Sequence, residues 1–329
     1  MRILVAGGAG YIGSHTCKTL AQAGHEPVVY DNLSLGHAES VKWGPLVVGD
    51  LADQALLEAT LREFQIEAVV HFAAKSCVGE SMQEPMPYFI NNSVGTTRLL
   101  DAMLRCGVSR IVFSSTCAVY GVPDFVPIEE TCPTRPINPY GETKLAIEKM
   151  LHWLGVLHGL RWISLRYFNA AGADPAGELG EEHDPETHLI PLVLRAAAPG
   201  TARLQVFGTD YPTPDGTAIR DYIHVTDLAD AHVMALAALS ADPVNDCFNL
   251  GTGQGTSVME VLATVAAVTG WPVRHETVAR RPGDIPILVA KTDKTAQHFG
   301  WRPRRSSIQT IVQDTWNWEC RAARAGLRP

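Results

Sequence analysis

The chain has 329 residues, of which 46% are hydrophobic and 19% charged, and its formal net charge is −8. This composition is typical of a globular protein and excludes disordered, collagen-like and coiled-coil chains. The length indicates one large domain or two smaller ones. Because the chain is acidic and has no run of five like charges, we expect it to bind neither nucleic acid nor anionic membranes.

Cysteine usage and hydropathy indicate the compartment. The seven cysteines are odd in number and include no C-x-x-C pair, so they predict neither a disulfide framework nor a zinc knuckle. The apolar run after Met1 is too short for a signal peptide. No apolar stretch approaches the roughly 18 residues that would span a bilayer. We therefore expect a cytoplasmic protein without a membrane partner.

Strands and helices alternate in the predicted first half. Short apolar runs indicate strands at 3–6, 28–30, 46–48, 68–72, 111–114 and 162–167. Segments with apolar residues three and four apart indicate helices at 15–23, 54–64, 92–106 and 143–158. Such alternation predicts an α/β fold, a Rossmann-type doubly wound parallel sheet.

The composition changes near residue 170, beyond which Gly and Pro become frequent. Helices are predicted at 226–239 and 257–269, with a strand at 247–250. We therefore expect two domains, 1–168 and a smaller mixed α/β C-terminal domain at 169–329, with segments near 223–251 packing back on the first domain.

A glycine-rich segment, GGAGYIG at 7–13, lies between the first strand and the first helix. Its glycines allow a tight turn and bring backbone N–H groups close to a pyrophosphate at the helix N-terminus. Asp31 ends the second strand, where an acid bonds a ribose 2′-OH and repels a 2′-phosphate. The pattern predicts NAD binding; the alternative is a structural turn followed by a capping Asp.

Asp50 follows the third apolar run, at the carboxyl edge of the predicted sheet. This position fits an adenine contact equally as well as the N-cap of the next helix. Both interpretations stay open at the level of sequence.

A second group of polar residues carries proton-transfer chemistry. Thr116 ends the fifth apolar run, and Tyr140 and Lys144 are spaced to share one helix face. A phenol is a poor base at neutral pH, but a nearby ammonium and the positive nicotinamide stabilise its phenolate. Tyr140 is therefore a candidate proton shuttle, and Thr116 a candidate to align the same substrate oxygen.

Taken together, these motifs resemble those of the extended short-chain dehydrogenase/reductases, and more closely the UDP-glucose 4-epimerase (UDP-galactose 4-epimerase) family. The resemblance covers essentially the whole length. The matching stretches lie at 7–15, 31–34, 71–74, 78–81, 113–116, 138–141, 166–169, 207–213, 220–224 and 281–284.

The resemblance implies reversible C4 epimerisation of UDP-glucose and UDP-galactose through a 4-keto sugar, with NAD held and not consumed. It implies the catalytic residues Thr116, Tyr140 and Lys144. The cofactor residues it implies are Gly7, Gly10, Tyr11, Ile12, Gly13, Asp31, Asn32, Asp50, Leu51, Phe72, Ala73, Ala74, Asn91, Ser114, Tyr140, Lys144 and Tyr167. It also implies a homodimer formed by helices 92–106 and 143–158.

The same resemblance assigns the UDP-sugar to the second domain. The implied substrate residues are Thr116, Asn169, His188, Leu189, Phe207, Arg220, Tyr222, Arg281, Asp284 and Leu288. The two arginines suit a pyrophosphate, which pairs well with guanidinium forks. The resemblance also places Leu288, of intermediate size, at the position where family members with a bulky Tyr exclude N-acetylhexosamines and those with small residues admit them.

Two histidines before the predicted substrate wall raise separate questions, one about the family pattern and one about metal binding. His188 stands where some relatives carry Asn, and an imidazole donates a similar bond. Metal binding by His183 and His188 is not expected, because we read this segment as a loop without acidic partners at ligand spacing.

The sequence bears differently on three alternative functions: it disfavours two of them and leaves one open. A 4,6-dehydratase is disfavoured, because Cys117 and Ala118 replace its acid–base pair. Epimerases of UDP-GlcNAc, UDP-glucuronate or UDP-pentoses stay open, since they share the Thr/Tyr/Lys chemistry. A non-catalytic NAD-binding protein is disfavoured by the presence of all three catalytic residues.

Overall fold

The computed structural model describes residues 1–198, 200–241, 244–281 and 283–324. The first half contains β1 (Arg2–Ala6), α1 (Tyr11–Gln22), β2 (Glu26–Asp31), β3 (Leu46–Val48), α2 (Gln54–Glu63), β4 (Ala68–His71), α3 (Val78–Gln83), α4 (Pro85–Tyr88), α5 (Gly95–Cys106), β5 (Arg110–Thr116), α6 (Pro139–His158) and β6 (Arg161–Tyr167). The second half contains β7 (Asn169–Ala171), α7 (Leu189–Ala197), β8 (Leu204–Phe207), β9 (Ile219–Arg220), β10 (Tyr222–His224), α8 (Val225–Ala241), β11 (Asp246–Leu250), β12 (Thr256–Ser257), α9 (Val258–Thr269), β13 (His275–Val278), β14 (Ile287–Leu288), α10 (Asp293–Phe299) and α11 (Ile308–Arg324).

Seven parallel strands form the central sheet, in the order β11-β6-β5-β4-β1-β2-β3. Side chains alternate between its faces, and both faces are buried. On β1, Ile3 and Val5 pack with apolar residues of α1 and α8, whereas Leu4 and Ala6 pack with residues of α2, α5 and α6. The predicted doubly wound Rossmann-type sheet is confirmed.

Helix α6 begins four residues earlier than the apolar periodicity predicts. The Asn138 side chain accepts a hydrogen bond from the Gly141 backbone N–H at 2.8 Å, and Pro139 occupies the first turn. Both residues favour helix initiation. Tyr140 therefore lies in the first turn of α6, one turn before Lys144. The predicted helix at 92–106 also differs, because a π-helical turn at Phe89–Val94 precedes α5.

The second half adds short strand pairs and a core of its own. β10 pairs with β7, β13 pairs with β8, and β9 lies between β12 and β14. Apolar side chains of α7, α9 and α11 pack together beside these strands. By contrast, β11 joins β6 in the large sheet, and α8 packs against α1. Among the described helices, none is both long and apolar enough to cross a membrane.

Candidate active site

One cavity of about 1550 Å³ opens at the carboxyl ends of the parallel strands, where ligands of open α/β sheets bind. Every residue that we predicted for cofactor, substrate or catalysis lines it, although their individual roles stay predictions. These residues are Gly7, Gly10, Tyr11, Ile12, Gly13, Asp31, Asn32, Asp50, Leu51, Phe72, Ala73, Ala74, Asn91, Ser114, Thr116, Tyr140, Lys144, Tyr167, Asn169, His188, Leu189, Phe207, Arg220, Tyr222, Arg281, Asp284 and Leu288.

The glycine loop between β1 and α1 forms a cradle at one end of the cavity. Gly7 has φ +81°, a conformation that favours glycine. A Cβ atom at Gly13 would lie 2.2 Å from the Gly7 carbonyl oxygen, so only glycine fits there. Within the described part of the chain, no side chain caps the start of α1 at Gly10. The first N–H groups of α1 are therefore available to an anion, and the cradle fits a dinucleotide pyrophosphate.

Asp31 is held rigidly at the end of β2. Its two carboxylate oxygens accept hydrogen bonds from the backbone N–H groups of Ala9, at 3.0 Å, and Leu33, at 2.9 Å. Each oxygen keeps a lone pair for a further donor. This arrangement fits a ribose with free hydroxyls, because a buried carboxylate here repels a 2′-phosphate.

Asp50 is not the N-cap of α2. The cap is Asp53, whose side chain accepts a hydrogen bond from the Leu56 N–H at 2.9 Å. Asp50 instead accepts from the Ala52 N–H and from the Asn32 side chain, both at 2.8 Å. The capping alternative for Asp50 is therefore wrong, and its contact with adenine stays a prediction.

Lys144 is the buried cation beside the predicted catalytic phenol. Its side chain is buried, and Nζ donates to the Ser114 carbonyl oxygen at 2.8 Å. The ammonium lies 4.9 Å from the ring centre of Phe113 and 5.9 Å from that of Tyr140. Burial lowers the pKa of Lys144 to about 7, although the charge of Glu148 opposes the shift.

Tyr140 has its hydroxyl in the same buried environment. Burial raises the pKa of Tyr140 well above its ordinary value, Tyr167 raises it further, and a hydrogen bond with the Thr116 side chain lowers it. Thr116 also accepts from the Ala118 N–H at 3.2 Å, which orients its hydroxyl at the end of β5. Without added positive charge the phenol is therefore neutral, and the nearby Lys144 favours its ionisation.

Glu148 is a residue that the motif search missed. It lies one turn beyond Lys144 and is buried. Its carboxylate accepts from the Ser115 and Ser164 hydroxyls at 2.7 and 2.9 Å and pairs with the Arg166 guanidinium at 2.6 Å. The signal was the i, i+4, i+8 spacing of Tyr140, Lys144 and Glu148 on one helix face. Glu148 ties α6 to β5 and β6 beneath the catalytic group.

The other end of the cavity combines an aromatic ring with guanidinium groups. The Arg281 guanidinium carbon lies 3.9 Å from the ring centre of Phe207. Arg220 forms an ion pair with Asp284, which also accepts from the Tyr211 hydroxyl at 3.3 Å. A flat apolar ring beside positive charge suits a nucleoside diphosphate.

Short strands bring the remaining predicted substrate residues to the same wall. Asn169 of β7 pairs in register with Tyr222 of β10. Leu288 of β14 pairs in register with Arg220 of β9. The wall therefore continues from the end of β6 to the guanidinium groups.

The segment before α7 corrects one expectation. Glu181, His183, Glu186 and His188 offer ligand atoms that all lie within 4.8 Å of one another. Our premise that the two histidines have no acidic partners is wrong, because the loop folds back and joins them to both glutamates. His183, Glu186 and His188 also line the cavity.

Known proteins are similar to this chain over almost its whole length. The family model described as "NAD dependent epimerase/dehydratase family" matches residues 3–251. The UDP-glucose 4-epimerase of Halalkalibacterium halodurans is 51% identical, with 97% of this chain and 95% of that protein covered. The crystal structure of UDP-glucose 4-epimerase from Brucella ovis in complex with NAD is 51% identical over 96% of this chain and 97% of that one, with a TM-score of 0.94.

A further structure comes from Stenotrophomonas maltophila, where UDP-glucose-4-epimerase was solved with bound NAD and formylated UDP-arabinopyranose. It is 41% identical, covers 99% of both chains and has a TM-score of 0.95. The matched segment begins in β1 and ends just after β11, so it spans the whole large sheet. The chain therefore belongs to the NAD dependent epimerase/dehydratase family.

Proposed function

We propose that the protein interconverts UDP-glucose and UDP-galactose by inverting sugar C4, with NAD as its cofactor. The observation that carries this function is the position of Thr116, Tyr140 and Lys144. They line the same cavity as the glycine cradle and the Phe207–Arg281 pair. A sugar linked to a nucleoside diphosphate at one end and a nicotinamide at the other can meet at these three side chains.

The cofactor residues are those of the cradle and its surroundings. The backbone N–H groups at the start of α1 bind the pyrophosphate, and Asp31 binds a ribose. When bound, NAD would supply reversible hydride transfer at sugar C4. The chain itself binds, orients and moves the proton.

Tyr140 moves that proton. Its phenolate accepts the proton of the sugar O4 hydroxyl, and the resulting phenol returns it when the opposite face of C4 is reduced. Thr116 bonds the same oxygen and aligns it. Lys144 stabilises the phenolate by its charge, and the positive nicotinamide adds to this effect.

The UDP moiety lies in the second domain. Phe207 offers its ring and Arg220 and Arg281 their charge, whereas Asn169, His188, Leu189, Tyr222 and Asp284 complete the contacts. We assign residues 1–168 to the NAD domain, with 223–251 packed on it, and 169–329 to the UDP-sugar domain. The contacts of β11 with β6 and of α8 with α1 support this division.

The active protein is a homodimer. Exposed apolar side chains gather on α6 and on the π-helical turn that packs against it: Trp153 is 59% exposed, Leu157 67% and Ile90 59%. Large apolar groups on one surface of a globular protein mark an interface. A second copy related by two-fold symmetry would cover them. Because the cysteines are odd in number and include no C-x-x-C pair, we place the protein in the reducing cytoplasm.

A 4-epimerase of UDP-pentoses is the second candidate. The Stenotrophomonas relative holds a formylated UDP-arabinopyranose, and Leu288 is the residue of intermediate size near the predicted sugar position. UDP-glucuronate and UDP-GlcNAc belong to the same comparison of substrates.

Proton NMR of UDP-galactose with purified protein and no added nucleotide tests the function. We expect UDP-glucose to appear, because NAD travels with the protein. Absence of conversion after NAD is added, with conversion of UDP-arabinopyranose in a parallel tube, would favour the second candidate. If no UDP-sugar reacts, the catalytic proposal is wrong.

A further inference from the structure

Four potential metal ligands converge in the loop between β7 and α7. Glu181, His183, Glu186 and His188 lie within a stretch of eight residues, and their ligand atoms lie within 4.8 Å of one another. None of the four takes part in the proton transfer, although His188 is also one of the proposed UDP contacts. The group therefore borders the substrate cavity, and it is built from imidazole and carboxylate donors.

The two imidazoles point at a single carboxylate oxygen. Glu181 is buried, and its Oε1 is bonded by Nδ1 of His183, at 3.0 Å, and by Nδ1 of His188. Glu186 Oε1 lies 3.9 Å from the first of these nitrogens and 3.7 Å from the second. Ligand atoms around a tetrahedral zinc, about 2.0–2.1 Å from the metal, are roughly 3.3 Å apart. The observed separations therefore lie on either side of the tetrahedral value.

Glu186 supplies an independent observation. Its side chain is fully buried, and Oε1 accepts from the backbone N–H groups of Thr187 and His188. Its other oxygen, Oε2, is buried without a hydrogen-bond partner, and Arg195 Nη2 is 3.9 Å away. Arg195 forms a long ion pair with Oε2 but donates no hydrogen bond to it, so a closer cation would stabilise this buried carboxylate.

We propose that one divalent transition-metal ion, such as zinc, is bound by Glu181, His183, Glu186 and His188. Two carboxylates neutralise the charge of the dication, and two imidazoles supply the nitrogen ligands that zinc prefers. On binding, the metal takes the place of the proton on each ligating nitrogen. A proton is then released to solvent from a charged imidazole, or moves to Nε2 of a neutral one.

The metal would fix a loop that touches both domains. His37, which follows β2, hydrogen-bonds the Glu182 carbonyl oxygen at 2.9 Å. The His183 ring lies edge-on to Tyr11 of α1, with ring centres 6.2 Å apart. At its other end the loop leads into His188 and Leu189, which line the cavity. The ion therefore holds the substrate wall against the cofactor helix.

Zinc binding is measured without reference to turnover, so it fails or succeeds independently of the proposed epimerase activity. The protein is stripped with a chelator, titrated with zinc by calorimetry, desalted and assayed for metal. We expect about one zinc per chain. His183→Ala removes a direct ligand, so we expect at least a roughly hundredfold loss of affinity, beyond the effect of losing a supporting group.

His275→Ala is the matched control, because His275 is an exposed histidine on β13. It should bind zinc as the wild type does. Glu186→Gln, which keeps the shape of the side chain, should also weaken binding, and circular dichroism checks the fold of each variant. Zinc binding that is unchanged in both His183→Ala and Glu186→Gln would mean that the metal binds elsewhere on the protein and would overturn the proposal. A wild-type protein that retains only traces of zinc would overturn it as well.

Discussion

Lys144→Met separates the cost of the buried ammonium from its catalytic use. Burial lowers the pKa of Lys144 from its ordinary value of 10.5 to about 7. Each pKa unit corresponds to about 1.4 kcal/mol. The lowering of the pKa from 10.5 to about 7 therefore means that the charged Lys144 reduces the free energy of unfolding by roughly 5 kcal/mol below pH 7. Methionine also loses the hydrogen bond that even a neutral Lys144 donates to the Ser114 carbonyl oxygen, which offsets about 1 kcal/mol of this gain. We expect Lys144→Met to stabilise the nucleotide-free protein by about 3–4 kcal/mol at pH 6.

The sign of the pH dependence follows from the lowered pKa. The penalty is fully present below the folded pKa of about 7 and fades as pH rises towards the unfolded value of 10.5. At pH 9 it falls to about 1.5 × 1.4, or roughly 2 kcal/mol. The stabilisation by Lys144→Met, measured by denaturant unfolding, should therefore shrink by about 3 kcal/mol between pH 6 and pH 9.

The same substitution should reduce catalysis. Nζ of Lys144 lies 5.9 Å from the ring centre of Tyr140. At this distance and an effective dielectric constant near 20, its charge stabilises the Tyr140 phenolate by about 3 kcal/mol. Its loss predicts a fall in kcat of about a hundredfold. Lys149→Met is the control, because Lys149 is exposed on the same helix and should change stability by less than about 0.5 kcal/mol. A Lys144→Met protein that unfolds more easily than the wild type at pH 6 would refute the burial argument.

Tyr140→Phe should lower kcat by at least about a hundredfold while NAD stays bound, and wild-type turnover of this variant would remove Tyr140 from the mechanism. Asp31→Ala removes the carboxylate held by Ala9 and Leu33, so purified protein should retain less NAD, measured by absorbance after denaturation; unchanged content would count against the ribose contact. Leu288→Tyr should lower the ratio of UDP-GlcNAc to UDP-glucose activity, since a larger ring fills the cavity wall, and a constant ratio would contradict this gating role. Trp153→Glu should shift the sedimentation of the protein from dimer to monomer, because a charge replaces an exposed apolar ring, whereas an unchanged mass would exclude this face.

The large sheet could be predicted because its strands are buried on both faces. Such strands appear as short, continuous apolar runs, and the helices between them carry apolar residues at helical spacing. The glycine cradle could also be predicted, because its glycine spacing is visible in the sequence. The backbone requires glycine at Gly7, where φ is positive, and at Gly13, where a Cβ atom would clash. The start of α6 was missed by periodicity, although Asn138 and Pro139 carried a local signal for it.

The second half was harder, because many of its strands have only two or three residues. β9, β12 and β14 are too short for any period to appear. Helix α7 was also missed, since Pro191 falls within its first turn and the surrounding segment is rich in Gly and Pro. The positions of these elements depend on contacts between distant parts of the chain, which local patterns do not record.

The loop from Glu181 to His188 shows why residue types alone were insufficient there. The acidic residues were present in the sequence. However, the other three ligands lie two, five and seven residues after Glu181, and neither a helix nor a strand places all four positions on one face. A loop that turns back on itself does so, and only the fold shows that Glu186 is buried with one oxygen unsatisfied. Proton transfer is different, because Tyr140, Lys144 and Glu148 lie on a regular helix where spacing determines proximity. Sites on regular elements can therefore be predicted from spacing, whereas sites on loops require the three-dimensional arrangement that brings their side chains together.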